Sequence, residues 1–207
     1  MKKTASSTTT VVDVLRHGEP LGGEVYRGQA DHPLSEHGWR QMWRAVADQP
    51  PWQAVVSSSL SRCADFACEL AARRNLPLHI EPDLQEIGFG QWEGLSVAEI
   101  RQRDPLALER YWADPIGRTP PGGEPFTAFR QRILGAWAEL LRRLAGRHWL
   151  LVAHGGVIRV LLCEVLGLAP QRMFHLEVAF AGRLRLIQEG DGDAAHLRLV
   201  FPTEHRR

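Results

Sequence analysis

Two stretches of this 207-residue chain place a histidine and a glycine directly after an apolar run. Val11-Val12-Asp13-Val14-Leu15 leads into Arg16-His17-Gly18, and Trp149-Leu150-Leu151-Val152-Ala153 leads into His154-Gly155-Gly156. Short apolar runs bounded by glycine read as buried strands. In an open α/β sheet, ligands gather outside the carboxyl ends of the strands. Both histidines are therefore predicted to face one region, and the glycines let the backbone turn sharply and approach a ligand. A helix starting near Gly156 would aim free backbone N–H groups at the same place, favouring an anion. Arg62 follows a third strand end, Ser57-Ser58-Ser59, where a bidentate guanidinium can grip an oxyanion. A lone histidine after a strand is ordinarily a loop residue, and a lone arginine a solvated one. Two histidines at equivalent strand ends, one beside Arg16, outweigh that reading.

The elements that must position these residues follow from periodicity. Ser35 is suited to cap a helix to about Asp48, with Met42, Trp43 and Val46 inward. Ala54-Val55-Val56-Ser57 reads as the second strand. The helix after it carries Leu60, Cys63, Ala64, Ala67 and Ala71 at helical spacing. Leu78-His79-Ile80 is a third, short strand. A helix from Phe126 to Ala145 presents Phe126, Phe129, Ile133, Trp137, Leu140, Leu141 and Leu144 as one stripe, with Gly146 to end it. The fourth strand, Trp149 to Ala153, precedes a helix from Gly156 to Leu166. Two closing strands are expected near Leu184–Ile187 and Leu197–Phe201, around a turn at Gly190-Asp191-Gly192-Asp193.

Between Gln91 and Pro125 the pattern changes. Ser96 and Glu99 have capping-box spacing, Asp104-Pro105 suits the opening of another helix, and Pro115, Pro120, Pro121 and Pro125 break regular structure. This reads as a cap over one face. The prediction is a three-layer α/β/α sandwich with a mostly parallel sheet. Residues 1–10 are expected to form a flexible leader, and residues 11–207 one domain with a cap insertion at about 91–125.

Composition excludes other classes. With 25 basic and 24 acidic residues the net charge is +1, so no general field attracts nucleic acid or an anionic membrane. An anion must be held by a local cluster. Cys63, Cys68 and Cys163 form no C-x-x-C pair, which argues against a disulfide framework or structural zinc. No apolar run reaches the length of a membrane span, and the first ten residues lack a signal peptide's apolar stretch. A cytoplasmic protein is expected. His32, His37, His79, His148, His175, His196 and His205 lack ligand spacing, so no metal is predicted, nor any cofactor. No G-x-G-x-x-G follows the first strand, which sets a dinucleotide site aside.

Arg16-His17-Gly18-Glu19 resembles the R-H-G signature of the histidine phosphatase superfamily. The other marks follow in order: Ser57-Ser58-Ser59-Leu60-Ser61-Arg62, the run Leu84-Gln85-Glu86-Ile87-Gly88-Phe89-Gly90-Gln91-Trp92-Glu93-Gly94, and His154-Gly155-Gly156-Val157-Ile158-Arg159. The resemblance spans about Val11 to Leu168. Tyr26 to Asp31, Pro33-Leu34-Ser35, Gly38-Trp39 and Pro121-Gly122-Gly123-Glu124 look like the α-ribazole phosphatase branch. Pro20 departs from the usual Thr or Ser, which removes a hydroxyl contact.

The resemblance implies a phosphomonoesterase working through a phosphohistidine. His17 would be the nucleophile, kept neutral by repulsion from Arg16, Arg62 and His154. Those groups, with Gly155, would bind the phosphate oxygens. Glu86 would protonate the leaving alkoxide and then deprotonate the attacking water. Arg27 and Gln29 are further candidates for the phosphate or nearby hydroxyls. Glu19 is expected to orient the site, and Trp92 and Trp112 to wall it from the cap. The expected partner is a small phosphate ester, with α-ribazole 5′-phosphate favoured, and neither nucleic acid nor membrane; the pattern sets no oligomeric state. The alternatives are a phosphatase on another ester, a phosphoglycerate mutase, and a non-catalytic phosphate-binding module, which would typically lack His17 or Glu86.

Overall fold

In a computed structural model, which describes residues 9–48, 50–190 and 196–200, six strands form one sheet. They are β1 (Thr9–Arg16), β2 (Ala54–Ser58), β3 (Leu78–Glu81), β4 (His148–Ala153), β5 (Arg183–Glu189) and β6 (His196–Val200), in the order β3-β2-β4-β1-β5-β6. The first four are parallel, and β5 and β6 continue the sheet antiparallel from β1. The helices are α1 (Glu36–Ala45), α2 (Ser61–Arg74), α3 (Val97–Arg103), α4 (Ala107–Ala113), α5 (Phe126–Arg143) and α6 (Gly155–Leu166).

Strand alternation sorts the apolar runs between two cores. Val12, Val14, Ala54, Val56, Trp149, Leu151 and Ala153 pack with α5 and α6. Leu15, Val55, Leu150 and Val152 pack with α1 and α2. Both faces of the central strands are covered, which is why they read as unbroken apolar runs. Among the buried polar residues of these strands, Asp13 is the charged one. Buried on β1, it accepts hydrogen bonds from Trp52 Nε1 at 2.8 Å, Arg185 Nε at 2.6 Å and Nη2 at 3.0 Å, and lies 3.0 Å from His148 Nε2. These bonds, above all those from His148 and Arg185, outweigh burial and hold its carboxyl far below the usual 3.8.

The α5 stripe is buried as patterned. Ser35 caps α1 by accepting the Gly38 amide, and Ser96 with Glu99 forms the capping box of α3. Several boundaries differ. Helix α1 ends at Ala45 rather than near Asp48, and α5 at Arg143. Leu60 caps α2 rather than joining it. Pro105 sits in a turn, where Asp104 Oδ1 takes the Leu106 amide, so α4 opens two residues later than expected. Thr9 and Thr10, assigned to the leader, extend β1; Thr10 Oγ1 accepts the Gly146 amide. The rest of the leader, Asp191 to Asp193 of the expected turn and Phe201 lie outside the described residues.

Trp92, Ile100, Leu108 and Tyr111 form a separate small core in the segment expected to be the cap. It is tied to the loop after β1, where Tyr26 exchanges backbone hydrogen bonds with Leu95 and Gly94.

Candidate active site

Register brings the two histidines together. β1 lies beside β4 with Arg16 opposite Ala153, so the next residue on each strand is His17 and His154. Their ring centroids are 5.2 Å apart. β2 flanks β4 on its other side and delivers Ser58 and, through the start of α2, Arg62. The chain leaves β1 through Gly18, whose α-carbon packs against the backbone of Gly38 so closely that a Cβ would overlap it. That contact seats α1 behind His17.

His17 is buried, with Nδ1 2.7 Å from the Gly18 carbonyl oxygen. A carbonyl only accepts, so Nδ1 carries the proton and Nε2 keeps its lone pair. Burial first, then the Arg62 guanidinium, holds the ring well below the usual 6.5, with smaller contributions from Arg16 and Arg27. His17 is therefore neutral at physiological pH. Repulsion from Arg62 and Arg16 is present, but burial is the larger cause, and His154, expected to add to the repulsion, is itself held well below 6.5.

Arg62 is fully buried. Its Nη2 donates to the Gly28 carbonyl at 2.6 Å, Nη1 to Ala30 at 2.9 Å, and Nε to His154 Nδ1 at 3.3 Å. Arg16 donates to the Val178 carbonyl at 2.5 Å and lies 4.0 Å over the Phe180 ring. Burial and the neighbouring Arg159 lower it to about 10, against the pull of Glu86, so it stays cationic. Its Nε, like that of Arg27, is buried without an acceptor among the described residues. Buried donors normally find acceptors, and the oxygens of an anion would supply them.

Glu86 lies at the start of α6. Its Oε2 accepts the Gly156 amide at 2.9 Å, and Oε1 the Ile87 amide at 3.1 Å. The helix N-terminus expected to attract an external anion thus already binds this carboxylate. Glycine at 156 leaves room for this contact, because a Cβ there would overlap Glu86 Oε1 and push the carboxylate aside.

A cavity of about 810 Å³ opens over these groups. Arg16, His17, Arg27, Arg62, Arg159 and Glu86 form its polar floor. Its walls are Pro20, Leu21, Val25, Tyr26, Phe89, Val97 and Phe180, with Glu19 and Glu24 among them.

Several expected contacts fall elsewhere. His154, Gly155 and Gln29 do not line the cavity. His154 is fully buried, its Nδ1 accepting a hydrogen bond from Arg62 Nε and its Nε2 lying 2.7 Å from Ser58 Oγ. Both ring nitrogens are occupied, so it holds Arg62 rather than facing the cavity directly. Gln29 donates to the Glu86 carbonyl at 3.3 Å. Arg27 reaches the cavity but donates to the Leu21, Gly23 and Val25 carbonyls, bracing the wall loop. Trp92 is packed in the small core, and Trp112, half exposed, donates to Tyr26 Oη. Pro20 offers no hydroxyl; Ser35, which also lines the cavity, donates to Glu19 Oε1 at 3.1 Å. Ser35 thereby holds Glu19 at the cavity wall.

Arg159 and Phe180 line the cavity and Ser58 holds His154, roles that their local sequence does not announce. Arg159 stands four residues after Gly155 on α6, one helical turn on, so spacing could have placed it near the site. Phe180 comes from an irregular segment with no pattern to find it. Among the described residues, no group of three or more His, Cys, Asp or Glu is placed to hold a metal ion. The three cysteines are free, and no helix among the described residues is long and apolar enough to cross a membrane.

A neutral histidine with a free Nε2 among arginines, at adjacent strand ends of a three-layer α/β fold, is an arrangement able to attack phosphorus while the arginines hold its oxygens. The profile of the histidine phosphatase superfamily (branch 1) matches residues 12–199, and the chain belongs to that family. It is 35% identical over 204 residues to a bifunctional protein of Mycobacterium tuberculosis, covering 96% of this chain but only 56% of that one. The chain thus spans little more than half the length of such relatives. It is 30% identical over 169 residues to the adenosylcobalamin/alpha-ribazole phosphatase of Escherichia coli, covering 80% and 83% of the two chains. The solved structure of a mycobacterial glucosyl-3-phosphoglycerate phosphatase with VO3 superposes with a TM-score of 0.77 at 31% identity, covering 92% of this chain and 96% of that one.

Proposed function

We propose that the chain hydrolyses a phosphate monoester through a phosphohistidine at His17. His17 Nε2 attacks phosphorus, forming the P–N bond as the ester P–O bond breaks. Glu86 gives its proton to the leaving oxygen. Arg16 and Arg62 meet the charge on the equatorial oxygens, and His154 keeps Arg62 in line. Water then attacks the phosphohistidine and Glu86 takes its proton. His17 leaves with its lone pair, and inorganic phosphate is released. The presence of both His17 and Glu86 at one cavity supports turnover over simple phosphate binding. The free cysteines suit a reducing, cytoplasmic setting.

The favoured substrate is α-ribazole 5′-phosphate. The carrying observation is the cavity wall, where Leu21, Val25, Tyr26, Phe89, Val97 and Phe180 surround the phosphate site and Glu19 and Glu24 are the acids at its side. Such a wall suits a flat, uncharged leaving group and repels a carboxylate. Arg159 favours a second reading. It faces the cavity with its Nε donating to the Leu176 carbonyl and no other side-chain hydrogen bond among the described residues, and could take the carboxylate of a phosphoglycerate-type ester. Comparing kcat/KM for α-ribazole 5′-phosphate with that for 3-phosphoglycerate and glucosyl-3-phosphoglycerate decides between them. A large preference for the first is expected, and a preference for either carboxylate ester would replace it with the second reading.

A further inference from the structure

The segment that carries Glu86 has no regular structure of its own; it follows a short 3-10 turn at Pro82–Leu84. A catalytic acid on such a segment needs external support to keep its carboxyl in place. That support comes from an ion pair distant in sequence from the signature residues. Arg132, on α5, donates from Nε and Nη2 to the two carboxylate oxygens of Glu124, at 2.7 and 2.8 Å. Its Nη1 donates to the Asp83 and Gln85 carbonyls, both at 2.7 Å, and Nη2 to the Glu86 carbonyl at 3.0 Å. All five N–H donors of the guanidinium are therefore engaged. Glu124 holds the same segment from its other end. Its Oε2 accepts the Gly88 amide at 3.2 Å, and its own amide donates to the Gly88 carbonyl at 2.8 Å. Both side chains are about four-fifths buried, at 20% and 18% exposed, so the pair is bidentate and shielded rather than a loose surface contact.

We infer that the Arg132–Glu124 pair is a positioning clamp for the catalytic acid, fixing the backbone on both sides of Glu86 so that its carboxyl stays at the α6 N-terminus beside the leaving group. This rests on the reading of Glu86 as the proton donor. It gives the Pro121-Gly122-Gly123-Glu124 segment a function. Gly123 and Glu124 bring the chain back against Gly88, and Glu124 closes the clamp. Neither Arg132 nor Glu124 lines the main cavity, so both act through Glu86.

The test compares phosphorylation of His17 by two esters in single turnovers. p-Nitrophenyl phosphate has a leaving group stable as an anion, while β-glycerophosphate needs a proton. Glu124→Gln, which turns one carboxylate oxygen into a donor facing Arg132, is expected to slow β-glycerophosphate about 10- to 100-fold, as a misplacement near 1 Å does. p-Nitrophenyl phosphate should stay within about threefold of wild type, and KM should change little. In a Glu86→Gln background, Glu124→Gln should add almost nothing, because two residues acting through one group are not additive. Arg132→Lys is the second variant, since a lysine cannot span the four acceptor groups; if it fails to fold, Glu124→Gln decides alone. Equal losses on both esters from Glu124→Gln, or a full additional loss in the Glu86→Gln background, would make the pair a structural brace only. If Glu86→Gln by itself slows both esters equally, the proton-donor reading fails and the clamp with it. If Glu86→Gln is selective and Glu124→Gln is not, only the clamp fails.

Discussion

The Glu86 carboxylate accepts the Gly156 amide at 2.9 Å, which joins the proposed proton donor to the first turn of the helix that follows His154. Adding a Cβ at Gly156 would drive it into Oε1. Gly156→Ala should therefore displace Glu86 while leaving the fold intact, because alanine is intrinsically a better helix former than glycine by about 1 kcal/mol. The expected result is an unchanged or raised Tm with at least a tenfold loss of kcat on alkyl phosphates. An unchanged kcat would show that the carboxylate works from another position.

The tautomer of His17 predicts where phosphate attaches. With Nδ1 committed to the Gly18 carbonyl, only Nε2 offers a lone pair. A quenched phosphoenzyme should be acid-labile and base-stable, carry its phosphate on Nε2 by NMR, and be absent in His17→Ala. Phosphate on Nδ1, or on another residue, would refute the assignment.

His17 and His154 are both held well below the usual 6.5, chiefly by burial and by Arg62. In the free protein their ring nitrogens should keep neutral signatures in NMR titrations well below pH 6.5. Below that pH the unfolded chain binds protons that the folded chain refuses, so stability must fall as pH falls. The slope is at most about 1.4 kcal/mol per pH unit for each histidine. Asp13 acts in the same direction at lower pH. Its depressed carboxyl stabilises the fold above the usual 3.8, and that stability is lost on further acidification. Urea unfolding from pH 7 to 4 checks the sign; stability constant over pH 6.5 to 5 would mean that the histidines charge in place.

Arg62→Lys should cost nearly as much as Arg62→Ala. A lysine keeps the charge but cannot reach Gly28, Ala30 and His154 at once while presenting a fork to phosphate. Losing charge-assisted bonds worth about 1.5–3 kcal/mol corresponds to roughly 10- to 150-fold in kcat/KM. Retention of near wild-type kinetics in the lysine variant would reduce Arg62 to a point charge.

The sequence by itself determined the elements and the residue types of the site. Apolar runs of the right length ending in His-Gly made strands β1 and β4 legible, and the period of the Phe126 to Leu144 stripe made α5 legible, because burial of one face or two leaves a pattern in one dimension. His17, Arg16, Arg62 and Glu86 were legible because each sits in a signature segment at or near a strand end. Only the tertiary structure decided what those side chains face. The pairing of β1 with β4 set His154 beside His17, and the bonds that β2 and α2 supply to both its nitrogens turned it inward to Arg62. The α6 N-terminus, read as a seat for an external anion, is already bound by Glu86. Arg159 and Phe180 enter the wall through a helix face and an irregular segment, and Arg132 reaches Glu86 across 46 positions of sequence. Contacts of that range depend on how layers stack and on which donors remain unpaired once they do, and neither is encoded in local spacing.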